Sequence, residues 1–242
     1  MQGFVDLAYR DPYVRHYKAF DAGFYVDFAQ QLRLMGRWLQ ERGCRATLDI
    51  GAMTGGCIEY ISGLGMRMDG VQFTPDIRKL AAANLKRHGI ASTLHVSPVD
   101  RPLQVRSRRR YDGVVSLGWF NLPHSESSLR RTLGRIRRLL NPGGVFLFDF
   151  FRFRELVVAS TESVDLEPGL TLVSHAERRG DVLRRYHFWI RDSRSIEAET
   201  SDLVDRSAAD ARRLLSAEGF RVVRRRHLDL NYPREFWMAQ RR

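Results

Sequence analysis

The chain has 242 residues, a length that suits one domain. Its 43% hydrophobic and 11% aromatic content can build a core and excludes a disordered protein. Charge is lopsided: 40 Lys+Arg against 28 Asp+Glu give a formal net charge of +12, and 37 of the 40 are arginines.

No apolar run approaches the ~20 residues that span a bilayer. Met1–Arg15 lacks the apolar stretch of a signal peptide. The two cysteines, Cys44 and Cys57, are too few for a disulfide framework, so a cytoplasmic location is expected. A basic chain invites a nucleic-acid reading. Such dominance of arginine over lysine also follows from genome base composition. The runs themselves are short: Arg106 to Arg110, Arg137-Arg138, Arg178-Arg179, Arg184-Arg185 and Arg224 to Arg226. They read as solvated loops and helix faces.

In chain order, the first forty residues are aromatic-rich, with Tyr9, Tyr13, Tyr17, Phe20, Phe24, Tyr25 and Phe28, and a helix is predicted from about Phe24 to Arg42. Ala46–Gly51 reads as a buried strand, Gly55–Ser62 as a short helix and Met66–Phe73 as a second strand. Thr74-Pro75-Asp76 opens a helix that runs to about His88 and stops at Gly89. Strands follow at Thr93–Val96 and Tyr111–Leu117. A helix over Ser125–Leu140 ends at Asn141-Pro142-Gly143-Gly144, and Val145–Phe151 is a near-continuous apolar strand. Alternating strands and helices with fully apolar strands predict a doubly wound, mostly parallel α/β sheet.

The tail differs. Leu170–Glu177 and Val182–Ile190 alternate around Arg179-Gly180-Asp181 and read as a hairpin, with Glu197–Val204 as a third strand. Ser207 caps a helix to Glu218, stopped by Gly219. Strands at Arg221–Leu228 and Phe236–Gln240, separated by the turn Asn231-Tyr232-Pro233, close the chain. The antiparallel segment is therefore an insert between the fifth sheet strand and the last helix, placed as a cap.

Chemistry concentrates at Asp49-Ile50-Gly51-Ala52-Met53-Thr54-Gly55-Gly56, where the first strand turns into the first helix. That crevice binds ligands in open α/β sheets, because glycines let backbone approach the ligand and helix N–H groups point at it. Gln72 ends the second strand, 21 positions past Gly51, where a side chain commonly reads a ribose diol. Here the chain resembles class I S-adenosylmethionine-dependent methyltransferases. The segments LDIGAMTGG, GVQFTPDIRKLA, RRYDGVVSLGWF and LLNPGGVFLFDFF are similar to that family's strand motifs. The cap insert and aromatic N-terminal helix are similar to its small nucleotide-sugar N-methyltransferases.

The resemblance implies a Rossmann-like methyltransferase sheet with an antiparallel cap. It implies one domain: a helical lid over 1–45, a cofactor-binding core over 46–151, the cap over 152–205, and closing helix and strands over 206–242. It implies S-adenosylmethionine held by Asp49, Gly51, Ala52, Met53 and Gly55, with Gln72 and Phe73 at the ribose, Asp100 at the adenine, and Ser116 and Trp119 lining the methyl-transfer crevice. Three positions depart from the pattern. Met53 replaces a glycine, Gln72 replaces a carboxylate, and Asp100 stands a residue or two late. Exchanging charge-assisted for neutral bonds at residue 72 weakens binding by ~1–2 kcal/mol.

His124 and Asp149 are the candidate proton-transfer residues: a histidine beside the crevice and a carboxylate late in a buried strand. Tyr13 and Tyr17 (in the lid) and Tyr186 and His187 (on the cap) are the candidate acceptor contacts. Alternation sends Tyr186 and His187 to opposite faces, so at most one points inward. No residues have metal-ligand spacing. The expectation is methyl transfer to an N or O atom of a small polar, anionic or nucleotide-activated metabolite, without membrane or nucleic-acid partners, and with a homodimer left open. The alternative is a non-methylating protein of the same fold, such as a cyclase, with an altered or lost cofactor site. A nucleic-acid-associated protein ranks below both.

Overall fold

A computed structural model describes residues 25–99, 101–105, 107, 109–151, 153, 159–229 and 234–242, with residues 25–28 and 167 described by backbone alone. Helix α1 (Tyr25–Glu41) precedes β1 (Ala46–Ile50), α2 (Gly56–Gly63), β2 (Arg67–Gln72), α3 (Pro75–Arg87) and β3 (Leu94–Val96). Then come β4 (Tyr111–Ser116), a 3-10 turn (Trp119–Asn121), α4 (Glu126–Leu139) and β5 (Leu140–Phe151). Strands β6 (Ala159–Glu167), β7 (Leu170–Arg179), β8 (Val182–Arg191) and β9 (Ser195–Val204) follow, and α5 (Ala208–Ala217), β10 (Phe220–Leu228) and β11 (Arg234–Arg241) finish the chain.

Seven strands form one sheet in the order β10-β11-β5-β4-β1-β2-β3, with β10 and β11 the antiparallel members. The predicted doubly wound α/β sheet is thus present. Period-two alternation splits its side chains between two cores. Leu48, Val114, Phe146 and Phe148 face α4 and α5, meeting Leu129, Leu133, Ile136 and Leu214. Val115, Leu147 and Met238 face the other way, onto Leu32, Met35 and Leu39 of α1 and Ile58 and Ile61 of α2. Both faces are covered, which is why the strands are apolar throughout.

Local rules hold at the helix starts. Thr74 accepts from the Ile77 amide (3.2 Å), Ser125 from Ser128 (3.2 Å) and Ser207 from Asp210 (3.0 Å). Two readings change. Asn141–Gly144 is not a free loop: it lies within β5 as a bulge opposite Asp112, exposed at Pro142 and Gly143, with Gly143 at φ +75°, and a bulge tolerates proline in a strand. The cap has four strands, in the order β6-β7-β8-β9. The unpredicted β6, ASTESVDLE, is a polar edge strand whose pairing with β7 supplies the order its sequence does not announce. The turn at 231–233 lies outside the described residues. No described helix is long and apolar enough to cross a membrane.

Candidate active site

The loop after β1 is tightly constrained. The Gly51 and Ala52 amides both donate to the Val71 carbonyl, at 2.9 and 3.1 Å. Gly51 (φ +84°) and Gly55 (φ +93°) are left-handed. A Cβ on Gly51 would lie 2.9 Å from the Phe73 ring, and one on Gly55 3.2 Å from Leu85. Glycine is therefore required twice. Met53 is also left-handed, at φ +43°, and packs against the apolar cluster that contains Phe73 and Trp119.

Asp49 lies at the end of β1 and is buried. Burial pushes its carboxyl up to about 7, opposed only by a hydrogen bond from the Cys57 thiol. Cys57 Sγ also lies 3.7 Å from Met68 Sδ. No arginine or lysine among the described residues pairs with Asp49. Gln72, at the end of β2, is fully buried, and neither Oε1 nor Nε2 has a hydrogen-bond partner. Such an orphaned amide is costly and needs an explanation. Its neighbours Val71 and Phe73, with Ile50, Ser97, Val99, Leu103 and Trp119, help enclose a cavity of about 10 Å³, room for about one water. Phe73 and Trp119 are both buried. Asp100 lies outside the described residues, as do Tyr13 and Tyr17.

The β4 end is braced from afar. Ser116 Oγ donates to the Ile50 carbonyl (3.0 Å), tying β4 to β1. Asp149, fully buried on β5, uses both oxygens: Oδ1 accepts from the Gly118 amide and Oδ2 pairs with Arg234 Nη1, each at 2.5 Å. Asn121 Nδ2 donates to the Phe151 and Val204 carbonyls (2.9 and 3.0 Å), and its Oδ1 accepts from the Phe151 amide (2.9 Å). Arg206 donates to the Phe120, Leu122 and His124 carbonyls. These contacts fix the turn that carries Trp119 and His124, whose rings lie 5.1 Å apart. His124 Nε2 is buried without a partner, and burial, helped by the Arg206 cation, pulls the imidazole down to about 4. The ring is neutral at pH 7.

On the cap, Leu183 and Leu203 join the main core, so their face of the sheet is turned inward. His187 and Glu199 share that face by alternation, and Ser174, His187 and Glu199 stand in register across β7, β8 and β9. Ser174 Oγ and His187 Nδ1 are 2.8 Å apart. Glu199 is 8% exposed and its Oε2 has no partner. Burial raises its carboxyl to about 7 and, with the nearby Arg185 cation, lowers His187 to about 4. Tyr186 sits on the opposite face, donating to Glu177 (2.8 Å). Of the two cap candidates the structure turns His187 inward and Tyr186 away.

Four contributors escape sequence reasoning: Asn121, Glu199, Arg206 and Arg234. Only Glu199 carries a local signal, an acid at the inward phase of an alternating strand. No group of three or more metal-ligating side chains occurs among the described residues.

Residues 47–144, from β1 to the start of β5, match the model of the methyltransferase domain. That stretch, less than half of the chain, is similar to a methyltransferase domain. Its architecture is that of S-adenosylmethionine-dependent methyltransferases. An S-adenosylmethionine-dependent methyltransferase from Clostridium acetobutylicum is similar over 96% of this chain and 99% of its own, at 14% identity and a TM-score of 0.81. The sugar N-methyltransferase KedS8 from a Streptoalloteichus species is 25% identical, over 93% of this chain and 92% of its own, with a TM-score of 0.74. The amino pentose methyltransferase CalS10 from Micromonospora echinaspora, of calicheamicin biosynthesis, is 20% identical over 88% and 91%, with a TM-score of 0.72. No curated protein matches the chain by sequence.

Proposed function

We propose that this methyltransferase moves the methyl group of S-adenosylmethionine to an amine of a small polar acceptor of the amino-sugar type. The observation that carries the cofactor reading is Gln72: a fully buried amide with both polar atoms unpaired at the end of β2. A ribose diol can accept from Nε2 and donate to Oε1, relieving both. Asp49 supports it, because an ammonium group supplies the cation that this buried carboxylate lacks. The tight turn that Gly51 and Gly55 allow sets the loop backbone at the C-terminal end of β1, where the rest of the ligand is read as lying.

Bound there, the sulfonium supplies an activated methyl group. The chain's own contribution is orientation and exclusion of water by Phe73, Met53 and Trp119. Trp119 also presents an aromatic face that favours a nearby cation. The acceptor is read as lying between the turn and the cap's inward face. Glu199, near its midpoint at neutral pH, takes the proton that frees an amine lone pair, while neutral His124 and His187 accept hydrogen bonds. Asp149, with both oxygens engaged, positions the turn rather than moving a proton. The sugar-type acceptor follows from KedS8 and CalS10, whose described activities are sugar methylation. Buried, unpaired Cys44 and Cys57 suit the reducing cytoplasm, and the proposed division into lid, core, cap and closing segment follows the same reading.

Calorimetric titration tests it. Wild-type protein should bind S-adenosylmethionine in the micromolar range, Gln72→Ala about tenfold more weakly and Gln72→Glu about tenfold more tightly, as charge assistance roughly doubles such bonds. Absence of binding by wild type, or indifference to residue 72, overturns the reading.

A further inference from the structure

The arginines of α4 divide between two flanks. On one, Arg130 pairs with Glu218 at 2.9 Å, and neighbouring Glu126 pairs with Arg213 at 2.7 Å. On the other, Arg131, Arg135 and Arg138 stand at i, i+4 and i+7 and line an open cleft of about 640 Å³. The facing wall is His95 and Val96 of edge strand β3 and the segment Pro102-Leu103-Gln104. Among the described residues no acid lines this cleft and none of the three arginines forms an ion pair, the nearest acid being Glu218, which reaches the Gly134 position beside Arg138. Arg135 is held in place by donating to the Val105 carbonyl at 2.7 Å. Leu103 lines both this cleft and the small cavity at the crevice, and no other residue is shared by the two linings.

Three like charges lining one cleft, none of them in an ion pair with a described residue, repel one another, and an anion relieves them. Planar guanidinium forks match phosphate oxygens two at a time. The volume falls within the range of small-ligand sites, and its concavity favours a compact ligand over the rod of a duplex. We propose that this cleft binds the pyrophosphate group of a small molecule, such as a nucleoside diphosphate, at a site separate from the methyl-transfer crevice. Arg131 and Arg138, both exposed, supply the mobile charges, Arg135 the fixed one, and His95 and Gln104 the neutral polar contacts.

The test is calorimetric titration of the full chain with inorganic pyrophosphate, and with ADP, at low salt and matched ionic strength. Sulfate and a short DNA duplex serve as comparators. Pyrophosphate should bind with one-to-one stoichiometry and at least about tenfold more tightly than sulfate. Arg131→Gln/Arg138→Gln should weaken it about tenfold or more. That double variant alters exposed side chains only, so its thermal midpoint and its S-adenosylmethionine titration should match wild type. Failure of the cofactor reading would therefore leave this result standing. No pyrophosphate binding by wild type, equal binding of sulfate, unchanged binding by the double variant, or tighter binding of the duplex would each overturn the proposal.

Discussion

In the proposed reading, single residues set the ligand preferences of the crevice. Asp49 titrates near 7 in the fold against 3.8 for an ordinary aspartate, because burial penalises its charge. The folded state thus holds the proton more tightly, and Asp49 subtracts stability as pH rises from about 4 to about 7. A cationic ligand reverses that preference. Between pH 5.5 and 7 an α-amino group stays mostly protonated while Asp49 ionises. Affinity for S-adenosylmethionine should therefore rise about tenfold over that interval, and Asp49→Asn should flatten the profile. Met53→Gly removes a left-handed side chain that costs ~1 kcal/mol, but it also removes apolar packing. Urea unfolding should move by less than about 1 kcal/mol, while cofactor affinity should increase as the crevice opens. The sequence already marked Met53 and Gln72 as departures. It could not show that Met53 folds back onto the core or that Gln72 has no partner, because both depend on residues from other strands.

At the scale of elements, the decisive piece is the turn between β4 and α4. Its one helical turn, Trp119–Asn121, is three residues long and has little local preference of its own. Its geometry is imposed by Asp149 from β5, Arg206 from the segment after β9 and Arg234 from β11. Asp149→Ala strips the charge from beside half-buried Arg234 and frees the Gly118 amide. Breaking such a pair from one side costs ~3–5 kcal/mol. Denaturant unfolding should show a loss of that order. Asp149→Ala/Arg234→Met should lose less than the sum of the single changes, since the second removes the stranded cation. The elements themselves were legible where chemistry is local: hydroxyl caps at Thr74, Ser125 and Ser207, glycines at the loop, and apolar strands. Strand β6 was not, because a polar edge strand exists only through its partner.

At the scale of the molecule, His187 and Glu199 are buried on one face of the cap sheet, the face that carries Leu183 and Leu203. Glu199 lies inward with its carboxyl raised to about 7 from 4.5, so it stabilises nothing in its charged form. Its contribution is lost as pH rises from about 4.5 to 7. Glu199→Gln should accordingly raise the thermal midpoint at pH 8 and leave it near wild type at pH 4.5. A scan at the two pH values checks this. Under the proposed function that cost in stability goes with a role for Glu199 as the proton acceptor.

The opening charge imbalance takes a clearer form at this scale. Many arginines pair with acids across elements, as in Arg184–Asp202, Arg213–Glu126 and Arg130–Glu218. Three on one flank of α4 do not, and together they line a cleft. Composition announced +12 but could not distribute it. The sequence by itself determined the alternation of strands and helices, the glycine loop at the first crossover and the antiparallel cap. Period, capping and turn chemistry are properties of neighbouring residues. Only the tertiary structure decided which buried groups have partners: Asp149 doubly engaged, Gln72 with none, Glu199 inward and Tyr186 outward. Pairing and desolvation are set by contacts between residues tens of positions apart, and no local pattern specifies them.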